Sequence, residues 1–300
     1  MSLLWIPVTL VAAAAQTARN ATQRSLTESI GTVGATQVRF LFGLPFALLF
    51  LVGVCIVADR LPPAIGPQAI LFTVAGALFQ ILATALMLTA MKSKSFSVTT
   101  AYIKTEPVLT ACVGFALLGD ALTPLKIVAI LIATAGVIAM SVKPDTMRAM
   151  LSDIRPALLG IVAGGCFGLS AVAFRGAILF LPDGGFVLRA TTILALGLAI
   201  QTVLLLAYLL IFDRVSLTRS FGVWRASLGA GFLGAFASQF WFLGFALTSA
   251  ANVRTLALVE VFFAQALSRK LFNQQTSLRE YLGMALVVIG VGLLLLAATS

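Results

Sequence analysis

Histidine is absent from the 300-residue sequence, and charged side chains are scarce, at 10% of residues. Without histidine the chain lacks the commonest metal ligand and the usual general base near neutral pH. A soluble domain carries roughly 25% charged residues, because its surface must be hydrated. Twenty basic and ten acidic side chains cannot hydrate a soluble domain of this length, so the composition excludes a soluble globular fold.

Motifs of catalysis and metal binding are also missing. The three cysteines, Cys55, Cys112 and Cys166, are isolated and have no metal-site or redox spacing. The sequence has no GxxxxGK[ST] phosphate loop, no HExxH and no GxSxG. We therefore expect no enzyme activity, no metal, no cofactor and no ATP hydrolysis. An intramembrane enzyme and a passive channel are the alternatives from other functional classes.

Long apolar runs replace the missing charge, since 60% of residues are hydrophobic and the mean hydropathy is +1.08. A membrane-spanning helix needs about 20 apolar residues to cross roughly 30 Å of hydrocarbon. The runs between charges, glycines and prolines predict ten spans. These are Leu3–Ser25, Thr32–Ala58, Gln68–Met91, Ser97–Leu118, Leu125–Ser141, Pro156–Leu179, Phe186–Phe212, Gly222–Leu247, Asn252–Phe272 and Ser277–Ala298.

The second half of the sequence repeats the first. The fourth and ninth spans align without a gap at an offset of 154, which places Glu106 on Glu260 and Gly136 on Gly290. Because five spans are an odd number, the second copy must lie inverted in the membrane. We predict an all-α membrane protein of ten transmembrane helices, built as two inverted five-helix repeats with a central cavity. The predicted domains are residues 1–142 and 156–300, joined by a linker over 143–155.

The basic residues predict the orientation of the spans. Thirteen of the 20 lysines and arginines flank the odd-numbered connections and five flank the even-numbered ones. The positive-inside rule then places the odd connections in the cytoplasm and both termini outside. The net charge of +10 is thus explained by topology in a lipid bilayer, and we expect no nucleic-acid partner.

Spans four and five resemble the EamA-type repeat of the drug/metabolite transporter superfamily. The residues that carry the resemblance are Glu106-Pro107, Gly119-Asp120 and Gly136-Val137. The second copy keeps Glu260, Gly283 and Gly290-Val291, but it has Val261 in place of the proline and Asn273 in place of the acid. The loss of proline predicts a ninth span that is straighter than the fourth.

This resemblance implies a secondary carrier that works by alternating access in a bacterial inner membrane. We expect no cofactor and a monomer, although the sequence does not determine the oligomeric state. Overall likeness is greatest to amino acid exporters of the YddG type, so the expected substrate is a small amphipathic metabolite, namely an amino acid, aromatic ones included. A drug carrier or a nucleotide-sugar or other metabolite carrier of the same fold is the alternative. Proton coupling, exchange and facilitated diffusion all stay open.

Charges inside spans are the first candidates for the substrate site, because each costs roughly 2.5–3.5 kcal/mol to insert. Lys104, Glu106 and Glu260 lie near the middle of their spans. Lys104 and Glu106 are two residues apart on a helix and face different directions, so each needs a partner from another helix. Pro107 breaks an intrahelical hydrogen bond and is the candidate gating hinge. The alternative is that both glutamates are packing or hinge elements.

Polar and aromatic side chains in apolar spans are further candidates, because an unpaired amide in lipid is costly. The expected cavity residues are Gln80, Thr84, Met87, Thr99, Tyr102, Ser170, Gln239, Trp241 and Phe242. Gln16 and Asn20 in the polar end of the first span are expected to border a wet vestibule. The alternative for the buried glutamines is a structural hydrogen bond between helices.

Overall fold

A computed structural model describes residues 3–91, 102–141, 155–263, 265–266 and 277–299. Regular structure within these ranges is helical. The α-helices are α1 (Trp5–Leu41), α2 (Leu44–Ala58), α3 (Pro67–Met91), α4 (Glu106–Leu118), α5 (Pro124–Ser141), α6 (Arg155–Leu179), α7 (Phe186–Phe212), α8 (Arg214–Gly222), α9 (Trp224–Leu247), α10 (Ala250–Leu256) and α11 (Leu278–Thr299).

Seven helical stretches in the described ranges are long and apolar enough to cross a membrane. They are Gly34–Ala58, Pro67–Met87, Pro124–Ser141, Ala157–Leu179, Phe186–Phe212, Trp224–Leu247 and Leu278–Ala298. Helices suit this role because each satisfies its backbone hydrogen bonds internally. The seven correspond to predicted spans two, three, five, six, seven, eight and ten. Among the described residues, spans one, four and nine contain no such stretch. Residues 97–101 of span four and residues 264 and 267–272 of span nine lie outside the described ranges.

The predicted boundary between spans one and two lies at a bend in α1. Gly31 has φ +76°, a left-handed conformation that favours glycine. A second interruption follows between Leu41 and Leu44, where α2 begins. There the backbone of Phe42 approaches Gly231 of α9 so closely that a Cβ on Gly231 would lie 2.5 Å from the Phe42 carbonyl carbon.

The contacts divide the chain into two compact units. The first unit comprises Met1–Ile6, Phe79–Val172 and Thr248–Ser300, and the second comprises Pro7–Leu78 and Ala173–Leu247. Each unit therefore combines residues from both halves of the sequence. The domain boundaries at 142 and 156, the inversion of the repeat and the central cavity stay predictions.

In the first unit, α5 packs against α11 along much of its length. The two helices approach most closely at glycines from the repeated motif. A Cβ on Gly136 would lie 2.6 Å from the carbonyl oxygen of Gly283, and a Cβ on Gly290 would lie 2.5 Å from the backbone nitrogen of Ala133. Small residues permit such backbone contact between membrane helices. These glycines therefore join spans five and ten.

The Gly-Asp pair of the motif ends α4. Gly119 has φ +65° and lies at the C-terminal cap of the helix. The N–H groups of Gly119 and Asp120 donate to the carbonyl oxygens of Phe115 and Gly114. This satisfies two carbonyls that the end of a helix otherwise leaves without a partner.

Candidate substrate site

The fourth predicted span is interrupted in its middle. Tyr102 and Ile103 are helical, Lys104 and Thr105 form a turn, and α4 starts at Glu106. Thr105 donates both its backbone N–H and its hydroxyl to the Tyr102 carbonyl, so the turn is satisfied locally. Pro107 lies in the first turn of α4, where its missing N–H would have had no helical acceptor.

The ninth predicted span is interrupted at the equivalent place. Helix α10 ends at Leu256, a 3-10 turn covers Ala257–Val259, and helical structure resumes at Glu260. At the repeat offset of 154 this turn corresponds to residues 103–105. The chain tightens here into a 3-10 turn without needing a proline, and the expectation that the ninth span is straighter than the fourth stays a prediction.

The two glutamates occupy matching positions in these broken spans. Glu106 is the first residue of α4, and Glu260 is the first α-helical residue after the 3-10 turn. A helix N-terminus carries a partial positive charge and favours a carboxylate. Glu106 therefore lies at a helix N-terminus, whereas the backbone N–H of Glu260 already donates to carbonyls of the 3-10 turn.

Two ion pairs connect the interrupted spans. The ammonium group of Lys104 pairs with the carboxylate of Glu260, and Arg254 Nε lies 2.9 Å from Glu106 Oε1. The four side chains are only 13–24% exposed. Each pair joins a residue of the first repeat to one of the second, so the prediction that Lys104 and Glu106 need partners from another helix is confirmed.

The bases of the cluster do not follow the repeat. The acids Glu106 and Glu260 are equivalent, but Leu258 occupies the position equivalent to Lys104. Sequence reasoning missed Arg254 as a site residue, because it was counted among the charges that flank connections. Arg254 could have been identified because it lies in the same predicted span as Glu260. An acid inside the membrane needs a cation to compensate its charge.

Helix α6 packs directly on the first interruption. A Cβ on Gly164 would lie 3.0 Å from the Ile103 carbonyl oxygen, and one on Gly168 would lie 2.8 Å from the hydroxyl oxygen of Thr110. That hydroxyl donates to the Glu106 carbonyl over 2.7 Å. The glycines of span six thus allow a close helix contact that holds the start of α4.

The other described cavity candidates of the first unit lie in its helices, and their cavity roles stay predictions. Thr84 is buried and donates to the Gln80 carbonyl, while Met87 and Tyr102 are half-buried. Ser170 is buried in α6, at 2% exposure. Thr99 lies outside the described residues.

Predicted candidates of the second unit form separate contacts. Trp241 Nε1 donates to Gln16 Oε1 over 3.1 Å, and Gln239 Nε2 donates to the hydroxyl of Thr191 over 2.7 Å. Phe242 is buried in an aromatic cluster, with its ring centroid 4.7 Å from that of Phe174. The cavity roles of these residues stay predictions.

The predicted vestibule residue Asn20 is exposed on α1. Its side-chain oxygen accepts a hydrogen bond from Arg19 over 2.9 Å. Thr191, by contrast, was missed from the sequence. It lies in an apolar run where a threonine commonly bonds to its own helix, and it does so with Val187, so its sequence context carries no signal.

Comparison with known proteins identifies both halves of the chain. Residues 3–142 and 154–296 each match the model of the EamA-like transporter family. A solved crystal structure of a protein aligns with a TM-score of 0.68 at 16% sequence identity, over 97% of this chain and 99% of the other. At that identity the likeness concerns the fold alone. No curated protein matches the chain.

Proposed function

We propose, from the premise that the chain belongs to the EamA-like transporter family, that it carries small zwitterionic metabolites, chiefly amino acids, across a membrane by alternating access. The family is one of transporters and not of enzymes, and the chain is a multi-pass membrane protein. The observation that carries the substrate proposal is the pair of crossed ion pairs between Lys104 and Glu260 and between Arg254 and Glu106.

Charge balance favours a zwitterion in this site. Two cations and two carboxylates compensate one another in a largely buried cluster. A substrate with one ammonium and one carboxylate can replace one partner of each sign and leave every charge compensated. A substrate with a single charge leaves an uncompensated charge, which costs about 3–5 kcal/mol when buried. That cost corresponds to roughly a hundredfold or more in affinity.

The matched interruptions support transport through the same site. Discontinuous helices at corresponding positions of two repeats commonly form the substrate site of secondary transporters. Here the interruptions at Lys104–Thr105 and Ala257–Val259 lie beside the ion pairs. Their short, locally satisfied turns supply places where the two spans can bend. Pro107 and the 3-10 turn are therefore the proposed hinges.

Counterflow in proteoliposomes tests the proposal. Vesicles loaded with unlabelled solute are diluted into labelled solute, and transient accumulation reports exchange. We expect accumulation of leucine and phenylalanine, which are zwitterions, and none of uridine or of ethidium, which stand for neutral nucleosides and cationic drugs. Accumulation of uridine or ethidium without either amino acid would assign the chain to another substrate class.

Matched variants separate the site from the general effect of removing a charge. Lys104→Met and Glu260→Gln are expected to lower amino acid counterflow at least tenfold. Their controls are Lys126→Met, at the exposed start of α5, and Glu280→Gln, whose carboxylate accepts a hydrogen bond from the Ser277 backbone at the start of α11. Equal losses in the site variants and the controls would remove the ion pairs from the mechanism.

Direction and location complete the proposal. An orientation with both termini outside is supported by the thirteen-to-five distribution of basic residues, while export through a bacterial inner membrane is proposed only on the resemblance to amino acid exporters. Labelling of a cysteine introduced at exposed Asn20 with a membrane-impermeant reagent checks the orientation. We expect this cysteine to be protected in right-side-out vesicles and to react in inverted ones.

A further inference from the structure

Helix α8 is a nine-residue helix between two candidate membrane spans of the second unit. The span of α7 ends at Phe212, and the next span begins at Trp224, the first residue of α9. Because successive spans leave and re-enter the bilayer at the same surface, the helix that connects them lies at that surface. Residues 212–225, called the α8 region below, are therefore expected at the edge of the membrane.

One side of α8 is fixed to the protein. Helix α8 packs against α7 and α9, and its Leu217 and Ser220 are buried. The Ser227 hydroxyl of α9 donates to the Ser220 carbonyl over 2.9 Å. At the other end of the helix, the Asp213 carboxylate accepts hydrogen bonds from the Ser216 N–H and hydroxyl. The remaining side chains of the α8 region are thus held in a defined position at its surface.

Large apolar side chains project from this surface. Val215, Phe221 and Trp224 are 58%, 53% and 51% exposed. Three such side chains on one short segment form an apolar surface that water covers poorly. Tryptophan in particular is typical of the boundary between lipid and water. The apolar side chains therefore favour contact of the α8 region with lipid.

Cations project from the same surface. Arg214, Arg219 and Arg225 are exposed, and each would be costly to place in hydrocarbon. The sequence of the α8 region contains one acid, Asp213, and its carboxylate accepts both hydrogen bonds of Ser216. The α8 region therefore carries a net positive charge beside its apolar side chains, a combination that fits the headgroup layer of a membrane.

Local contacts orient two of these cations. Arg214 Nε donates to the Leu210 carbonyl at the end of α7 over 2.6 Å. The Arg225 guanidinium lies over the Trp224 ring, 5.4 Å from its centroid. A guanidinium that stacks on an indole uses its flat face, so the N–H groups at its edge can still donate to a phosphate in a bidentate manner. Arg225 and Trp224 thus combine a phosphate ligand with an apolar side chain.

We propose that the α8 region binds the headgroup of an anionic phospholipid. Arg225 donates to the phosphate, Arg214 and Arg219 add positive charge, and Trp224 contacts the acyl chains. A free phosphate ion is a poorer occupant, because it compensates the cations but leaves the apolar side chains uncovered. A zwitterionic phospholipid covers the apolar side chains but brings no net negative charge.

This site goes beyond the proposed carriage of amino acids and shares no residue with the ion-pair cluster of the first unit. It lies in an odd-numbered connection, which the distribution of basic residues predicts to be cytoplasmic. The cytoplasmic leaflet is the one that carries anionic phospholipids. The charge of the predicted membrane surface thus complements the charge of the α8 region.

Quenching of Trp224 fluorescence by brominated lipid tests the proposal at the site itself. The full chain is reconstituted in phosphatidylcholine vesicles that contain a small fraction of brominated phosphatidylglycerol or brominated phosphatidylcholine. The Trp224 signal is the difference between each protein and its own Trp224→Phe derivative, which leaves the buried Trp5 and Trp241 in place. Each basic residue near an anionic lipid strengthens binding roughly fivefold. We therefore expect phosphatidylglycerol to bind beside Trp224 at least fivefold more tightly than phosphatidylcholine.

Variants assign this preference to named side chains. Arg225→Gln is expected to lower it roughly fivefold, and Arg219→Gln/Arg225→Gln is expected to bring it close to one. These arginines are exposed, so the variants should fold. The control is Arg60→Gln, which removes an exposed arginine of the same unit in a connection predicted on the opposite side of the membrane. It should leave the preference unchanged.

Four results would overturn the proposal. Absence of quenching by either lipid would place the α8 region outside the bilayer. Equal quenching by the two lipids in the wild type would show that the cations select no anionic headgroup. A preference that survives in Arg219→Gln/Arg225→Gln, or falls equally in Arg60→Gln, would assign it to charge elsewhere. Loss of the preference when inorganic phosphate replaces chloride at equal ionic strength would indicate a site for free phosphate.

Discussion

Replacing Lys104 by methionine should destabilise the protein mainly through the carboxylate that it leaves behind. Methionine has a similar length and no charge, so the change removes the cation with little change in packing. Glu260 is then left 17% exposed and without the ammonium group that compensates it. Breaking a buried ion pair from one side costs about 3–5 kcal/mol. The partial exposure of both side chains places the expected cost near the lower end, at about 3 kcal/mol.

Removing both charges should recover most of that loss. A buried ion pair replaced by apolar groups of similar volume is often neutral in stability. The free energy of unfolding of Lys104→Met/Glu260→Leu is therefore expected to lie within about 1 kcal/mol of the wild-type value. The cost of the double variant should thus be at least about 2 kcal/mol smaller than the sum of the costs of the two single variants. This difference is the interaction energy of the double-mutant cycle, and it is large because the two side chains are in contact.

Reversible unfolding in mixed micelles, followed by far-ultraviolet circular dichroism, measures the four proteins of the cycle. Lys126→Met controls for the loss of a lysine and should lie within about 0.5 kcal/mol of the wild type, because the half-buried Lys126 side chain donates only a long, 3.4 Å hydrogen bond to the Ala121 carbonyl. A double variant that is no more stable than the worse single variant would refute the reasoning, since the two charges would then not compensate each other.

Three further predictions concern the frame around the site. Gly290→Ala should destabilise the contact between α5 and α11 by about 1–3 kcal/mol. Gly292→Ala, with nothing within 4 Å of the new Cβ, should not destabilise the protein in the same assay and should stabilise it by up to about 1 kcal/mol. Pro107→Ala should slow turnover several-fold in counterflow and leave the half-saturation concentration unchanged, because it removes the ring that would clash with the Ile103 carbonyl in a continuous helix. An unchanged rate would argue against a hinge. The Ser216 hydroxyl and backbone N–H donate to the Asp213 carboxylate and hold its pKa below the ordinary value. This carboxylate caps α8, so the stabilisation by the cap is complete above the ordinary pKa of an aspartate. It is lost as the pH falls through the lowered pKa of Asp213. Hydrogen exchange of α8, corrected for intrinsic rates, should rise there in the wild type and be insensitive to this pH change in Asp213→Asn.

The site could be predicted from the sequence where the cost of burial is large. Lys104, Glu106 and Glu260 are identified by their charge in apolar spans, and the need for partners follows from their spacing. Arg254 was not predicted as a site residue because it lies near the end of a span. A basic residue at that position can either orient the span or form a buried ion pair, and the sequence does not distinguish the two. Only the folded arrangement, which brings α10 against α4, distinguishes the two.

The fold was harder to predict from the sequence where the backbone departs from regular helical geometry. Pro107 marks the interruption of the fourth span, but no residue type marks the 3-10 turn at Ala257–Val259. Polar residues at the end of the first span predict its departure from an apolar helix, whereas its bend requires the left-handed glycine at position 31. The motif glycines were visible as a repeat, but their partners across α5 and α11 were not.

The most direct test of a charge-compensated site compares leucine with leucinamide, which keeps the ammonium group and lacks the carboxylate. The half-saturation concentration of each is measured in counterflow by wild type, Lys104→Met and Lys126→Met. We predict that wild type and Lys126→Met favour leucine by roughly a hundredfold, and that Lys104→Met reduces this preference at least tenfold by weakening the binding of leucine. Equal handling of leucine and leucinamide by the wild type, or a preference unchanged in Lys104→Met, would contradict it.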